Sequence, residues 1–195
     1  MSDESQKRCQ WCENTFDDYI KYHDEDWGVP VHDDLIHFEF LILEGAQAGL
    51  SWSTVLKKRS GYREAFENFD PKKISRFSEK KILSLIENPA IIRNKAKIRS
   101  VVNNAQKFLE IRDEFGSFDK YIWEFVNEIP IVNEWSEMGQ VPATSSESDL
   151  LSKDLIKRGF KFVGSTIMYA HMQACGLVND HTKDCFRYEE ILKAY

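Results

Sequence analysis

The feature that most constrains this chain is a pair of cysteine–histidine couples at opposite ends of its 195 residues. Cys9 and His23 lie near the start, whereas His181 and Cys185 lie near the end. Two thiolates and two imidazoles form the ligand set of a closed, tetrahedral zinc site. Because His181 and Cys185 stand at positions i and i+4, one helical turn or a tight loop can direct both at one ion. The spacing therefore predicts a metal that joins the two termini rather than one that folds a small finger.

The other two cysteines leave the ligand set open at this point. Cys12 competes with Cys9, because the two form a C-x-x-C pair around Gln10 and Trp11. Cys175 lies in an apolar run, where a cysteine usually acts as a small buried hydrophobic residue. The alternative is that all four cysteines are scattered free thiols.

Charge and hydropathy limit the classes of partner. The net charge of −6 argues against a protein that binds polyanions over its whole surface. Residues 91–99 nevertheless carry four cations and no acid. The first residues are polar, and no apolar run approaches the length that spans a membrane. We therefore expect a cytoplasmic protein without a membrane partner, in a compartment where thiols stay reduced and can bind metal.

The periodicity of apolar residues predicts an all-α fold. Residues 97–109 show the i, i+3, i+4, i+7 spacing of an amphipathic helix, and residues 34–44 are apolar nearly all round, as in a buried helix. No stretch shows the sustained alternation of a sheet. Helix starts and ends are predicted at Asp70-Pro71, Ser78, a capping box over Thr144–Glu147, Gly116-Ser117, Gly159 and Gly176.

The break at Asn88-Pro89 separates two predicted helices, and the basic stretch follows it directly. The exposed N–H groups at the start of the second helix, together with its positive end, form a ready phosphate site. Arg93, Lys95 and Lys97 add charge there. This pattern indicates a DNA contact, and the alternative is an ordinary solvated loop between helices.

A second informative stretch surrounds Glu44, which follows a run of mostly apolar residues. A carboxylate there is costly unless it is paired or used. Gly45 and Gly49 leave space beside it, and aromatic residues are frequent nearby, at Trp11, Tyr19, Tyr22, Trp27 and Trp52. Aromatic faces and one buried carboxylate suit a flat, cationic ligand that donates hydrogen bonds. The alternative is an ordinary aromatic core with Glu44 satisfied at a helix end.

Five separated motifs, in the same order, closely resemble the bacterial 3-methyladenine DNA glycosylase I family. The resemblance covers about residues 8 to 188, nearly the whole chain. The motifs are Cys9-Gln-Trp11, the segment Tyr22–Pro30, Leu43-Glu44-Gly45-x-Gln47-Ala48-Gly49-Leu50-Ser51-Trp52, Ile91-Ile92-Arg93-Asn94-Lys95, and Lys157–Gly164 continuing through Gln173–His181.

The resemblance implies an all-α helix-hairpin-helix DNA glycosylase fold in which one structural Zn²⁺ ion per chain ties the N- and C-terminal segments together. Its zinc ligands match Cys9, His23, His181 and Cys185. Cys12 is then an extra thiol, and Glu44 matches the carboxylate that recognises the base. The pocket aromatics match Trp52, Tyr22 and Trp11, with Tyr19 nearby.

The family's DNA hairpin matches residues 87–97. Contacts with DNA are expected there from Ile91, Arg93, Asn94, Lys95 and Lys97. One departure is that Ala90 and Ala96 occupy the small positions where the wider superfamily has a glycine-rich turn. This difference implies a weaker or differently shaped grip on phosphate.

The implied reaction is base excision repair. The enzyme flips 3-methyladenine out of alkylated double-stranded DNA and removes it by hydrolysis, leaving an abasic site and free 3-methyladenine. The resemblance implies neither the catalytic aspartate of the wider superfamily nor a Schiff-base lysine. We expect a monomer and a single unit over 1–195. Its helical core of about 30–165 carries the hairpin at 88–97, and zinc joins the termini 8–29 and 166–188.

Two other functional classes remain open on the sequence. One is a zinc-stabilised DNA-binding module without catalysis, which would not need Glu44. The other is a zinc hydrolase with three protein ligands and one water. Such an enzyme needs an acid or base near the metal, and the acids adjacent in sequence are Asp24, Asp180 and Asp184.

Overall fold

The computed structural model describes residues 6–193 and is built mainly of helices, as the sequence predicted. The polar residues 1–5 lie outside the described part. The α-helices are α1 Asp17–Lys21, α2 Asp34–Gln47, α3 Trp52–Leu56, α4 Arg59–Ala65, α5 Pro71–Ile74, α6 Glu79–Glu87, α7 Lys95–Phe115, α8 Phe118–Trp123, α9 Ser146–Lys157, α10 Ser165–Ala174 and α11 Phe186–Leu192. A π-helical segment, Tyr22–Asp26, continues α1. Two short strands, β1 Ile131–Val132 and β2 Val178–Asn179, pair in parallel.

Helix α2 lies at the centre of the molecule, packed against α3, α7, α8 and α10. Its buried part runs from His37 to Ala46, which confirms the predicted buried helix. The Asp33 carboxylate starts the helix by accepting hydrogen bonds from the N–H groups of Leu35 and Ile36. The core continues through Phe38, whose ring centroid lies 4.9 Å from that of Phe108 on α7. Helix α2 is therefore packed on several sides, which fixes the positions of its buried side chains.

Helix α7 extends beyond the amphipathic stretch 97–109 at both ends, and its C-terminal end agrees with the predicted stop at Gly116. It begins at Lys95 because the Asn94 side chain caps it, accepting from the Lys97 N–H at 3.0 Å. It runs on to Phe115 because Ile111, one turn beyond Phe108, is also buried. Gly116 ends the helix with φ +89°, a conformation that favours glycine, as its predicted role requires.

The predicted caps at Asp70, Ser78 and Ser117 are confirmed. The predicted capping box at Thr144–Glu147 is wrong by one residue. The Ser145 hydroxyl accepts from the Ser148 N–H, and the Ser148 hydroxyl accepts from the Ser145 N–H. Serine stands at the third helical position in place of the usual Glu or Gln, so this capping box differs from the common Ser/Thr-x-x-Glu/Gln motif.

The two ends of the described chain lie together. The Phe186 N–H donates to the Lys7 carbonyl at 2.9 Å, and the Gly28 N–H donates to the Gln173 carbonyl at 2.9 Å. Gly176 has φ +69°, and a Cβ there would lie 2.4 Å from the Val29 carbonyl carbon. The end of α10 therefore packs directly on the N-terminal backbone. Within residues 6–193, no helix combines the length and apolar character needed to cross a membrane.

Candidate functional site

The four residues predicted to bind metal converge from both ends of the chain. The Cys185 Sγ lies 3.4 Å from His23 Nε2 and 3.5 Å from His181 Nδ1. The Cys9 Sγ lies 3.5 Å from His181 Nδ1. One atom from each residue lies within 4.8 Å of the others, and every one of these side chains is at most 2% exposed. This arrangement is a closed Cys2His2 cluster able to hold a metal ion.

Both imidazoles of the Cys2His2 cluster are oriented by contacts on their far side. His23 Nδ1 bonds to the Asp24 carboxylate at 2.8 Å, and His181 Nε2 donates to the Trp27 carbonyl at 3.0 Å. Arg8 holds Asp24 in turn through a bidentate contact. Outer contacts of this kind fix the tautomer of metal-binding histidines. They leave His23 Nε2 and His181 Nδ1 facing the two sulfurs.

Cys12 does not join the cluster, because its thiol donates to the Cys9 carbonyl at 3.2 Å. This geometry agrees with the family resemblance, which matched Cys9 and not Cys12 to the ligand set. The acids that a zinc hydrolase would need are also engaged. Asp24 is held by Arg8, and Asp184 pairs with Lys7. Asp180 accepts from Asn133, Trp135, Tyr169 and Gln173.

An aromatic cavity of about 240 Å³ opens to the surface beside this cluster. All five residues predicted for the base pocket line it: Trp11, Tyr19, Tyr22, Glu44 and Trp52. Trp27, one of the aromatic residues noted in the sequence beside Glu44, lines it as well. Further lining residues, which the sequence did not assign to the pocket, are Gln47, Met138, Ala170 and Gln173. Gln47 and Gln173 lie within the motifs noted above, whereas nothing in the sequence pointed to Met138 or Ala170.

The cluster supports one wall of this cavity. The Trp11 ring centroid lies 5.1 Å from that of His23, and the Trp27 ring centroid lies 4.5 Å from that of His181. The two indoles meet edge to face at 5.0 Å. The residues that hold the termini together therefore also fix the aromatic surface. Tyr22, which follows α1, and Trp52, on α3, lie with their ring centroids 5.1 Å apart and line the same cavity.

Glu44 is the unusual group in the cavity. Its side chain is 2% exposed, and its Oε2 atom has no hydrogen-bond partner among the described residues. Burial raises the pKa of Glu44 to about 8. The Trp52 Nε1–H, also in the cavity, likewise has no partner in residues 6–193. Unpaired buried polar atoms are rare, because each gives up its bonds to water. A ligand in the cavity can supply both missing partners.

The predicted hairpin joins α6 to α7, and α4 holds it in place. The Lys58 Nζ donates to the Pro89 carbonyl at 2.7 Å, and the Tyr62 hydroxyl accepts from the Ile92 N–H at 3.3 Å. At Gly61 a Cβ would lie 2.4 Å from the Ala90 carbonyl oxygen. The small residue needed for this close approach therefore sits on α4, opposite Ala90.

The five residues expected to contact DNA divide into two groups. The side chains of Arg93, Asn94 and Lys95 are exposed. The side chains of Ile91 and Lys97 are buried, so the expected contact of these two side chains with DNA is corrected: they hold the protein's own core together. Ile91 is 2% exposed, in the core. The Lys97 Nζ donates to the carbonyls of Ala46 and Ala48, which ties α7 to the end of α2 just beyond Glu44.

Comparison of the sequence with known protein families assigns the chain to one of them. A family model described as "Methyladenine glycosylase" matches residues 11–188. The chain belongs to the methyladenine glycosylase family. It is 47% identical over 182 residues to DNA-3-methyladenine glycosylase 1 of Escherichia coli (strain K12), covering 93% of this chain and 97% of the relative. A DNA-3-methyladenine glycosylase of Haemophilus influenzae is 48% identical over 179 residues, covering 91% of this chain and 96% of the relative.

Solved structures agree with this assignment. A crystal structure of a 3-methyladenine DNA glycosylase I shows a TM-score of 0.89 and 46% identity, covering 92% of this chain and 98% of that one. The Staphylococcus aureus 3-methyladenine DNA glycosylase I, whose structure describes the basis of 3-methyladenine recognition, shows a TM-score of 0.86 and 37% identity, covering 88% of this chain and 92% of that one. The predicted family and the predicted class of enzyme, an N-glycosyl hydrolase, are confirmed.

Proposed function

We propose that the chain removes 3-methyladenine from alkylated double-stranded DNA by hydrolysis of the N-glycosidic bond. The observation that carries this proposal is the unpaired Glu44 carboxyl group in an aromatic cavity. A methyl group at N3 makes adenine cationic, flat and able to donate hydrogen bonds from its exocyclic amine. Those are the three properties that this cavity selects.

The methylated base is already a good leaving group, since cleavage releases it as a neutral molecule. The protein must therefore extract the nucleotide and hold the base, and flipping costs a few kcal/mol. Stacking on the rings of Trp11, Tyr22 and Trp52 offsets part of this cost. The Glu44 Oε2 accepts from the exocyclic amine. Water then adds to the sugar carbon, and an abasic site and free 3-methyladenine result.

Charge explains how neutral adenine is rejected. With its pKa near 8, Glu44 is mainly protonated at neutral pH while the cavity lacks a cation. A cationic base favours the ionised carboxylate, because opposite charges in a desolvated site attract strongly. Neutral adenine gains no such attraction, so no electrostatic gain in the cavity offsets the free energy needed to flip it out of the duplex.

The Cys2His2 cluster fits a structural Zn²⁺ ion, which we propose as its occupant. Four buried protein ligands leave no position open for a water or substrate, so the ion's contribution is to stability. It joins the segments 8–29 and 166–188, with the helical core of about 30–165 between them, in a single unit. The buried, unpaired thiols suit a reducing compartment, and we place the enzyme in the cytoplasm. One chain supplies the whole cavity, which supports action as a monomer.

The segment from α6 through residues 88–94 into α7 serves as the helix-hairpin-helix contact with DNA in this proposal. Arg93 and Lys95 are exposed there beside the N-terminus of a long helix. The Lys97 ammonium group ties the first turn of α7, next to this surface, to the end of the helix that carries Glu44.

The test of the function is release of free base from duplex DNA treated with a methylating agent, followed by chromatography. We expect 3-methyladenine to be released together with an equal number of abasic sites, and unmodified adenine to remain. Binding to this DNA without release of any base would contradict the proposal and favour a non-catalytic DNA-binding module.

The hairpin assignment has its own test. We expect the double substitution Arg93→Ala and Lys95→Ala to weaken binding without changing which base is released. Loss of two phosphate contacts should make the negative slope of log affinity against log salt shallower by about 1.8. Lys153→Ala, an exposed lysine on α9, is the matched control and should leave the slope unchanged. An unchanged slope in the double variant would exclude this surface.

A further inference from the structure

A second cluster of metal-binding side chains lies between α2 and α10, apart from the Cys2His2 cluster and from the lining of the cavity. It consists of His37 on α2, His171 on α10 and Cys175 at the end of α10. One ring nitrogen of each histidine and the Cys175 sulfur lie within 4.8 Å of one another. All three side chains are 0% exposed.

Three of the four ring nitrogens in this cluster lack hydrogen-bond partners among the described residues. Neither ring nitrogen of His171 has a hydrogen-bond partner among the described residues, and the same holds for His37 Nδ1. Burial lowers the pKa of His171 well below its usual range, so its ring is neutral and keeps a lone pair. Buried polar groups are normally hydrogen-bonded. One nitrogen of each histidine lies within 4.8 Å of the Cys175 sulfur, and a ligand shared by the three residues would give a partner to one unpaired nitrogen of each ring.

His37 is oriented as a metal ligand would be. Its Nε2–H donates to the Val31 carbonyl at 3.0 Å, with the Asp119 carboxylate 3.6 Å from the same nitrogen. The proton is thus on Nε2, and Nδ1 carries the free lone pair. Histidines that bind metals characteristically donate the opposite N–H to a backbone carbonyl or a carboxylate in this way.

We propose that His37, His171 and Cys175 form a second metal site for a thiophilic closed-shell cation, Cu⁺ or Zn²⁺. One thiolate and two neutral imidazoles are ligands that both ions accept. Cu⁺ with a thiolate is uncharged overall, which suits a fully buried site, whereas Zn²⁺ retains one positive charge. As the metal–sulfur bond forms, the Cys175 thiol gives up its proton to solvent, and the imidazoles lose none. The ion would cross-link α2 to α10, the helices that carry Glu44 and Gln173.

The test is the metal content of the full-length protein, refolded with Zn²⁺ or, without oxygen, with Cu⁺ and then freed of excess metal. We expect His171→Phe to bind one equivalent less than the wild type with at least one of the two ions. His37→Leu is the second variant, in case the larger phenylalanine ring prevents folding. Cys12→Ala, which removes a buried thiol outside both clusters, is the matched control and should bind as the wild type does.

Thermal unfolding gives an independent readout. If the site binds metal, the second equivalent raises the Tm of the wild type and leaves that of His171→Phe or His37→Leu unchanged. If the site binds none, the metal content of both variants equals that of the wild type, and added metal changes the Tm of the wild type and of the variants by the same amount. That second pattern, with both ions, would overturn the proposal.

Discussion

Substitution of Cys185 by alanine is expected to release the zinc ion that we propose for the Cys2His2 cluster and to cause a large loss of stability. Cys185 contacts His23 and His181 and is 2% exposed, so no water can replace its sulfur without rearrangement. Binding of structural zinc contributes about 10–16 kcal/mol in zinc-finger peptides, and that free energy is folding free energy. We expect a large fall in Tm, because the N- and C-terminal segments are no longer linked through a shared metal ion.

The measurement is metal analysis of the purified variant, together with thermal unfolding. Cys12→Ala is the matched control, because it removes a neighbouring buried thiol that donates to the Cys9 carbonyl and lies outside the cluster. It should retain zinc and lose little stability. Full retention of zinc by Cys185→Ala would show that this residue is not a ligand.

Replacement of Glu44 by glutamine is expected to abolish the preference for a cationic base. Loss of a hydrogen bond to a charged group costs about 1.5–3 kcal/mol, or roughly ten- to a hundredfold in affinity. The probes are 3,9-dimethyladeninium, which is permanently cationic, and neutral 9-methyladenine. Quenching of tryptophan fluorescence should show the wild type favouring the cation by this factor. Glu44→Gln should bind the two compounds with about equal affinity, and Glu44→Ala should bind the cation more weakly still. An unchanged preference for the cation in Glu44→Gln would leave Glu44 as an ordinary buried residue.

Glu44 also makes the free energy of unfolding depend on pH, and Glu44→Gln tests the direction of this dependence. Its pKa rises from 4.5 in the unfolded chain to about 8 in the folded protein, so the folded state holds the proton more tightly. The stability from this group is complete below pH 4.5 and is lost as pH rises to about 8. Between pH 5 and pH 9 the free energy of unfolding of the wild type should fall by roughly 4 kcal/mol relative to Glu44→Gln. Parallel pH profiles would contradict the burial argument.

Local chemistry made several features predictable from the sequence. Helix caps at Asp70, Ser78, Asn94 and Ser117 depend on bonds between neighbours in the chain, and three of them were assigned in advance. The buried helix around α2 followed from an apolar composition that no exposed helix tolerates. The motifs around Cys9, Glu44 and His181 led to the family, which supplied the ligand set and the pocket aromatics.

Contacts between distant segments decided the rest. Spacing alone left Cys9 and Cys12 in competition, and apart from the family resemblance only the positions of His181 and Cys185 separate them, since both thiols are buried and only their direction differs. Lys97 looked like a phosphate ligand by its charge, yet the two carbonyls at the end of α2 take its ammonium group. Met138 and Ala170 enter the cavity only because loops and helices far apart in sequence meet there. The sequence determined which chemical groups are available, whereas tertiary packing decided which of them face one another, since direction and burial are set by neighbours that the local sequence does not contain.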